Sequence, residues 1–255
     1  MNVTVDQTAP VARITVSRPE ARNAMTFAMY DAFADACETL DADPTVKVVV
    51  VRGGGGTFIA GTDIREFLNV RTESDALAYE RRISTLADRL ERMTKTTIAA
   101  IEGAATGGGL TIALACDLRY AAADARLGVP IARTLGNCLS MANTARLIES
   151  VGPARARELL LTARLVGAEE AQAIGLINGV VPSDALGRHV LEVAEKIASL
   201  APLTVQVSKE AIRRILAQRR TAEGNDLIVR CYTSEDFRGA VQAFLGKRPP
   251  VWAGR

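Results

Sequence analysis

Two short glycine-bearing segments could do chemistry with backbone groups alone. Gly107-Gly108-Gly109 stands between the apolar run Thr97-Ile98-Ala99-Ala100-Ile101 and the stretch Leu110 to Ala115, which is apolar except for Thr111. Ala60-Gly61-Thr62 follows the β-branched run Val46-Lys47-Val48-Val49-Val50-Val51 and the four glycines Gly53 to Gly56. Glycine leaves no side chain in the way, so another molecule can approach the main chain closely. A glycine triplet that opens a helix also presents unpaired N–H groups at the positive end of the helix dipole. Such a site suits an anion, or an oxygen that becomes anionic during a reaction. If the preceding strands are neighbours, both loops emerge on one edge and two N–H groups can converge on a single oxygen, the construction of an oxyanion hole. The competing reading is a flexible linker, but a linker would be flanked by polar residues.

Other chemistries are poorly served. Neither loop fits G-x-G-x-x-G, and no P-loop pattern or G-x-S-x-G elbow occurs. The one histidine, His189, lies in the helical pattern Arg188-His189-Val190-Leu191-Glu192-Val193, away from both loops, which argues against Ser-His-Asp and Cys-His schemes. Cys37, Cys116, Cys138 and Cys231 form no C-x-x-C pair, so neither a metal centre nor a disulfide is expected, and a reducing cytoplasm fits. The formal net charge is +2, with 48% hydrophobic and 24% charged residues, the balance of a soluble protein with a sizeable core and no field for nucleic acid. No apolar run is long enough to span a membrane, and Met1 to Asp6 do not read as a signal peptide.

The elements that must position the loops follow from local patterns. Val11 to Val16 alternates as a strand, and Thr26 is placed to cap a helix running to about Leu40. Val46 to Val51 suits a strand buried on both faces. A helix is expected over about Ser74 to Met93, its Arg81, Arg82, Arg89, Glu91 and Arg92 forming a solvated face. Strands are expected at Asp117 to Ala121, Ala125 to Pro130 and Asn178 to Pro182. Helices are expected over Asn137 to Glu149, Pro153 to Leu161, Ala168 to Ile174, Leu186 to Leu200, Pro202 to Gln218 and about Glu223 to Leu245. The alternation argues for an α/β fold with an all-helical tail. The division drawn is 1–195 for a core carrying the site and 196–255 for the tail.

Taken in order, several pieces resemble the enoyl-CoA hydratase/isomerase (crotonase) superfamily over essentially the whole chain. They are Arg18-Pro19 with Asn23-Ala24-Met25, Phe58 through Ile64, Gly103 through Asp117, and Val151-Gly152-Pro153-Ala154. Ala168-Glu169-Glu170-Ala171 with Gly175-Leu176-Ile177-Asn178, and the ending Lys247-Arg248-Pro249-Pro250-Val251-Trp252, complete the set. The resemblance implies a spiral of ββα units with a C-terminal helical region that builds homotrimers, often paired into hexamers. It implies an acyl-CoA thioester substrate, coenzyme A being part of that substrate and no other cofactor or metal being needed. By position, the backbone N–H groups of Thr62 and Gly108 form the oxyanion hole. Ala60, Asp63 and Ile64 meet the adenine, Arg22 and Ala24 lie along the nucleotide and pantetheine, and Phe244 and Lys247 reach the CoA of a neighbouring subunit.

The chain departs from the family where protons are handled. Hydratases of the family carry two glutamates, and at those positions this chain has Thr111 and Ile131. A threonine hydroxyl can orient water but cannot carry a proton reversibly near neutral pH, and isoleucine can do neither. The aspartate of the family's dehalogenases would fall on Ser140. Two readings stay open: an acyl-CoA enzyme that is not a hydratase of the usual two-glutamate kind, and a catalytically impaired acyl-CoA-binding protein of the same fold. RNA binding through Arg81, Arg82, Arg89 and Arg92 is a distant third.

Overall fold

The computed structural model describes residues 2–218, 220 and 223–255. An edge hairpin, β1 (Val3–Thr8) and β2 (Val11–Val16), opens the chain and leads through a 3₁₀ turn (Pro19–Ala21) to helix α1 (Phe27–Ala42). Strand β3 (Val48–Gly53), a 3₁₀ segment (Ile64–Asn69) and α2 (Glu73–Arg92) follow. Next come β4 (Thr96–Ile101), β5 (Ala104–Thr106), α3 (Gly108–Ala115), β6 (Leu118–Ala122) and β7 (Arg126–Gly128). The chain continues through α4 (Ile131–Thr134), α5 (Met141–Thr162), β8 (Leu165–Gly167), α6 (Ala168–Ala173) and β9 (Gly179–Val181). Helices α7 (Leu186–Ala198), α8 (Pro202–Ala217), α9 (Asn225–Tyr232) and α10 (Glu235–Leu245) complete it.

Six strands form the main sheet in the order β1-β2-β3-β4-β6-β9, parallel throughout except for the β1–β2 hairpin. A smaller sheet, β5-β7-β8, stands beside it. β4 is buried at every position and β3 at all but Arg52, because helices cover both faces of the parallel sheet. One face carries the large core, and the other is closed by α7, whose Leu186, Val190, Ala194 and Ala198 pack on Val11, Val48, Val50 and Ile98. The 195/196 division falls inside α7. Beyond it, α9 and α10 return to the core, where Ile228, Tyr232, Phe237 and Val241 are buried with Phe67 and Tyr79.

Two local expectations are corrected, and one strand is new. The segment 223–245 is two helices, because Ser234 caps α10 by accepting from the Phe237 N–H at 3.0 Å. The two helices expected over 137–161 are both present within α5, parted at Gly152 (φ 73°, ψ 165°) just before Pro153, but the first starts later than expected, at the cap Ser140, which accepts from the Asn143 N–H at 3.3 Å. The strand β1 was not expected at all. Among the described residues no helix is long and apolar enough to cross a membrane.

The turn after β2 is pinned by the buried Asn23. Its side-chain oxygen accepts from the Arg18 N–H at 2.7 Å, and its amide lies within donor reach of three carbonyls, Gly54 (2.8 Å), Thr57 (2.5 Å) and Phe58 (3.2 Å). Truncation removes the acceptor of the Arg18 N–H and the donor to these carbonyls, so Asn23→Ala is expected to cost about 2–4 kcal/mol, read from urea unfolding midpoints.

Candidate active site

The segment after β3 is held between two others. On one side the Phe58 and Ile59 N–H groups donate to Glu102 and Ala104 (2.7 and 3.0 Å), and Thr106 N–H donates to Ile59 (3.1 Å). On the other, Ala60 N–H reaches Arg22 (3.2 Å), Met25 N–H reaches Gly61 (2.8 Å), and Asp63 N–H reaches Met25 (2.9 Å). Two glycines permit the packing. Gly107 has φ 54° and ψ −120°, a conformation closed to residues with a Cβ. A Cβ on Gly109 would stand 1.9 Å from the Ile59 carbonyl oxygen.

This construction turns the two loops toward each other. The nitrogen of Gly108 lies 3.9 Å from where a Cβ on Gly61 would be, and a Cβ on Gly108 would fall 3.9 Å from Gly61 Cα and 3.6 Å from Thr62 Oγ1. Among the described residues neither the Thr62 N–H nor the Gly108 N–H has a hydrogen-bond acceptor. Gly108 is the first residue of α3, so its free N–H sits at the positive end of that helix. Two unsatisfied donors on facing loops can stabilise a developing oxyanion.

The remaining expected residues are placed as follows. Thr111 is buried on α3 one turn beyond Gly108, and Ile131 is half-buried at the start of α4 against the core. Arg22 is exposed, while the half-buried Ala24 and Ala60 lie along the two chain segments just described. The half-buried Ile64 packs on the core. Asp63 is committed to ion pairs with Arg18 (2.7 Å) and Arg65 (2.6 Å) and caps the 3₁₀ segment by accepting from Arg65 N–H. The Arg65 hydrogen bonds, with help from Arg18, hold its carboxyl well below the usual range. Phe244 and Lys247 are exposed at the end of α10, which packs on the Ile64–Asn69 segment of its own chain. Glu66 accepts from Phe27 N–H at the start of α1 (3.3 Å), Arg82 pairs with Asp31 (3.2 Å), and Arg89 pairs with Glu38 (2.7 Å).

Sequence reasoning missed the side chains that crowd the oxyanion loops. Thr62 Oγ1 is hydrogen-bonded to both the Tyr30 and Tyr79 hydroxyls, each at 2.9 Å. Tyr79 packs at a tilt on Tyr232 from α9 (ring centroids 5.4 Å apart), Phe67 packs on both, and Phe237 packs on Phe67 and Tyr232. The Tyr232 hydroxyl donates to Glu80 Oε1 at 2.7 Å and accepts from Asn137 Nδ2 at 2.9 Å. Glu80 is only 7% exposed, and burial pushes its carboxyl up to about 7 against the opposing pull of the Tyr232 hydroxyl and the Ser140 N–H. Burial also raises the Tyr30, Tyr79 and Tyr232 hydroxyls well above the ordinary phenol value. A signal was present: Ala76, Tyr79, Glu80, Ile83, Leu86, Ala87 and Leu90 recur at helical spacing, which puts Glu80 on the buried stripe of α2.

The fold thus sets two glycine loops, one following β3 and the other following β4 and β5, face to face with a free N–H on each. The family model for enoyl-CoA hydratase/isomerase matches residues 6–255, and the chain belongs to that family of enzymes. The chain is 34% identical to the 2,3-dehydroadipyl-CoA hydratase of Escherichia coli K12, with 96% of each chain covered. It is 35% identical to the short-chain-enoyl-CoA hydratase of Clostridium acetobutylicum, over 97% and 95% of the two chains. Among solved structures it superposes on a methylmalonyl-CoA decarboxylase in complex with 2-nitronate-propionyl-CoA with a TM-score of 0.89 at 27% identity, covering 100% and 99% of the two chains. An enoyl-CoA hydratase/carnithine racemase from Magnetospirillum magneticum gives 0.82 at 33% identity, covering 100% and 96%.

The raised Glu80 carboxyl has a consequence for stability. The unfolded chain ionises this glutamate near 4.5, whereas the folded chain holds the proton up to about 7, so its contribution is full below 4.5 and is lost as the pH rises through 7. Relative to wild type, Glu80→Gln is expected to gain about 2–3 kcal/mol between pH 5 and pH 8 in urea unfolding.

Proposed function

We propose that the protein acts on an acyl-CoA thioester and stabilises the thioester enolate between the backbone N–H groups of Thr62 and Gly108. The observation that carries this reading is the pair of unsatisfied donors on facing loops, one of them at a helix N-terminus. Adding to, or enolising, a thioester moves negative charge onto its oxygen, and preorganised donors stabilise that charge without further reorganisation. The relatives' names point to the same substrate class. Ala24, Ala60, Asp63 and Ile64, with Arg22, border the loop on which the CoA nucleotide is expected to rest. Coenzyme A enters as part of the substrate, and the reaction draws on no metal or redox cofactor.

A second reading, an acyl-CoA-binding protein with impaired chemistry, is favoured by one observation: neither Thr111 nor Ile131 supplies a carboxyl group. Crotonyl-CoA separates the two, followed by loss of its conjugated ultraviolet absorbance. Turnover by the wild type, falling about 100-fold in Gly108→Ala, whose Cβ would press within 2.7 Å of the Tyr30 hydroxyl, is the expected result. Tight thioester binding without turnover, with activity gained in Thr111→Glu/Ile131→Glu, would establish the binding-protein reading instead.

The chain is further proposed to work in the cytoplasm as a homotrimer or hexamer. Support for assembly comes from α8, where Leu203, Val207, Ile212 and Ile215 are all more than half exposed. Sedimentation equilibrium is expected to return three or six times the chain mass, and a monomer would remove the proposal.

A further inference from the structure

Two acceptor oxygens inside the tyrosine cluster have no hydrogen-bond partner among the described residues, Glu80 Oε2 and Asn137 Oδ1. They flank a single hydroxyl, since Tyr232 donates to the other oxygen of Glu80 and accepts from the amide of Asn137. Other carboxylates drawn into the protein are neutralised: the buried Asp63 has Arg18 and Arg65, and the half-buried Glu91 has Arg146 and Arg220. Among the described residues Glu80 has no cationic partner. The groups that face it are the hydroxyls of Tyr30 from α1, Tyr79 from its own helix and Tyr232 from α9, the Cys138 thiol, and the Ser140 N–H.

Neither protonation state of Glu80 satisfies Oε2 within the protein. As a carboxylate it lacks a donor, and as an acid it is an O–H without an acceptor. The missing partner must donate to one form and accept from the other, and a water molecule does both. Asn137 Oδ1 also lacks a donor, and a water lying between the two oxygens would supply it. The cluster also adjoins the oxyanion loops: Tyr79 bonds Thr62 Oγ1, which bonds the Tyr30 hydroxyl, and that hydroxyl lies 2.7 Å from the place a Gly108 Cβ would take.

We propose that Glu80 is the acid–base residue of this site and that, with Asn137, it holds the water that adds to an α,β-unsaturated acyl thioester. This rests on the thioester reading of Thr62 and Gly108. The Glu80 carboxylate takes a proton from the water as its oxygen bonds to the β-carbon. The electron pair of the carbon–carbon double bond moves toward the thioester oxygen, held by the two N–H groups. The enolate then collapses, and the protonated Glu80 returns its proton to the α-carbon. One water is consumed, no oxidant is needed, and the carboxylate is regenerated. A carboxyl that titrates near neutrality is suited to both half-steps.

The test compares wild type, Glu80→Gln and Tyr232→Phe. Butyryl-CoA, which cannot be hydrated, reports binding by titration calorimetry and α-proton exchange in D₂O by mass spectrometry, and crotonyl-CoA reports hydration. Glu80→Gln is expected to bind butyryl-CoA within about threefold of wild type while hydration and α-exchange fall at least about 100-fold. In Tyr232→Phe the carboxylate loses a donor, so the rising limb of the kcat/KM–pH profile, near 7 in wild type, is expected to move to higher pH, a shift that a merely structural glutamate would not produce. Glu80→Gln retaining more than a tenth of the wild-type rate, or an unmoved limb in Tyr232→Phe, overturns the role of Glu80 and leaves the thioester reading standing. A wild type that binds butyryl-CoA but neither hydrates crotonyl-CoA nor exchanges α-protons also overturns it. A wild type that binds no thioester removes the reading beneath it as well.

Discussion

The approach of the Gly109 backbone to the Ile59 carbonyl is the constraint on which the rest of the site depends. Any side chain at 109 would displace the segment 58–63, and with it the Thr62 N–H. That segment is fixed from both sides by main-chain bonds to 22–25 and 102–106, so three parts of the chain distant in sequence share one register. The donors left over, on Thr62 and Gly108, are those with nowhere to go once the register is satisfied. A polar group that the fold leaves unpaired beside a rigid scaffold is free for a ligand.

The chain treats its buried carboxylates in two ways. Asp63 is surrounded by two arginines and the Arg65 N–H that it caps, which keep it ionised and make it a structural tie between the first loop and the turn at Arg18. Glu80 is surrounded by phenols, a thiol and an amide, which keep its charge expensive. The first arrangement fixes the geometry of the 60–65 segment against the turn at Arg18. The second leaves the protonation state undecided near neutral pH, and it stands against the same loops.

Much of this was legible in the sequence. The glycine loops, the α1 cap at Thr26, the doubly buried β3 and β4 and the closing strand near Gly179 are local patterns, and they fell where local physics puts them. β5 merges into the glycine stretch and β8 into the turn between two helices, so neither stands out as a strand, and β1 is exposed along most of its length, so no apolar face announces it. The break between α9 and α10 depended on weighing the Ser234 cap above an apolar pattern that runs through it. Glu80 was hidden for a different reason. It stands beside Arg81 and Arg82 in a run that reads as solvated, and what dries it comes from residues 137 and 232. Its place on the buried stripe of α2 was the available sign, and charge outweighed periodicity.

The docking of α9 and α10 onto the core carries a consequence for the order in which the molecule becomes competent. The oxyanion loops are complete once the chain has been made through α3, and chains fold broadly from the N-terminus as they emerge. Tyr232 and Phe237 arrive near the end of synthesis, so until then Glu80 lacks the Tyr232 hydroxyl and the aromatic cover that α9 and α10 bring. The polypeptide therefore passes through a stage that has the two glycine loops without the dry carboxyl, and the last helices to be synthesised complete the pocket around Glu80.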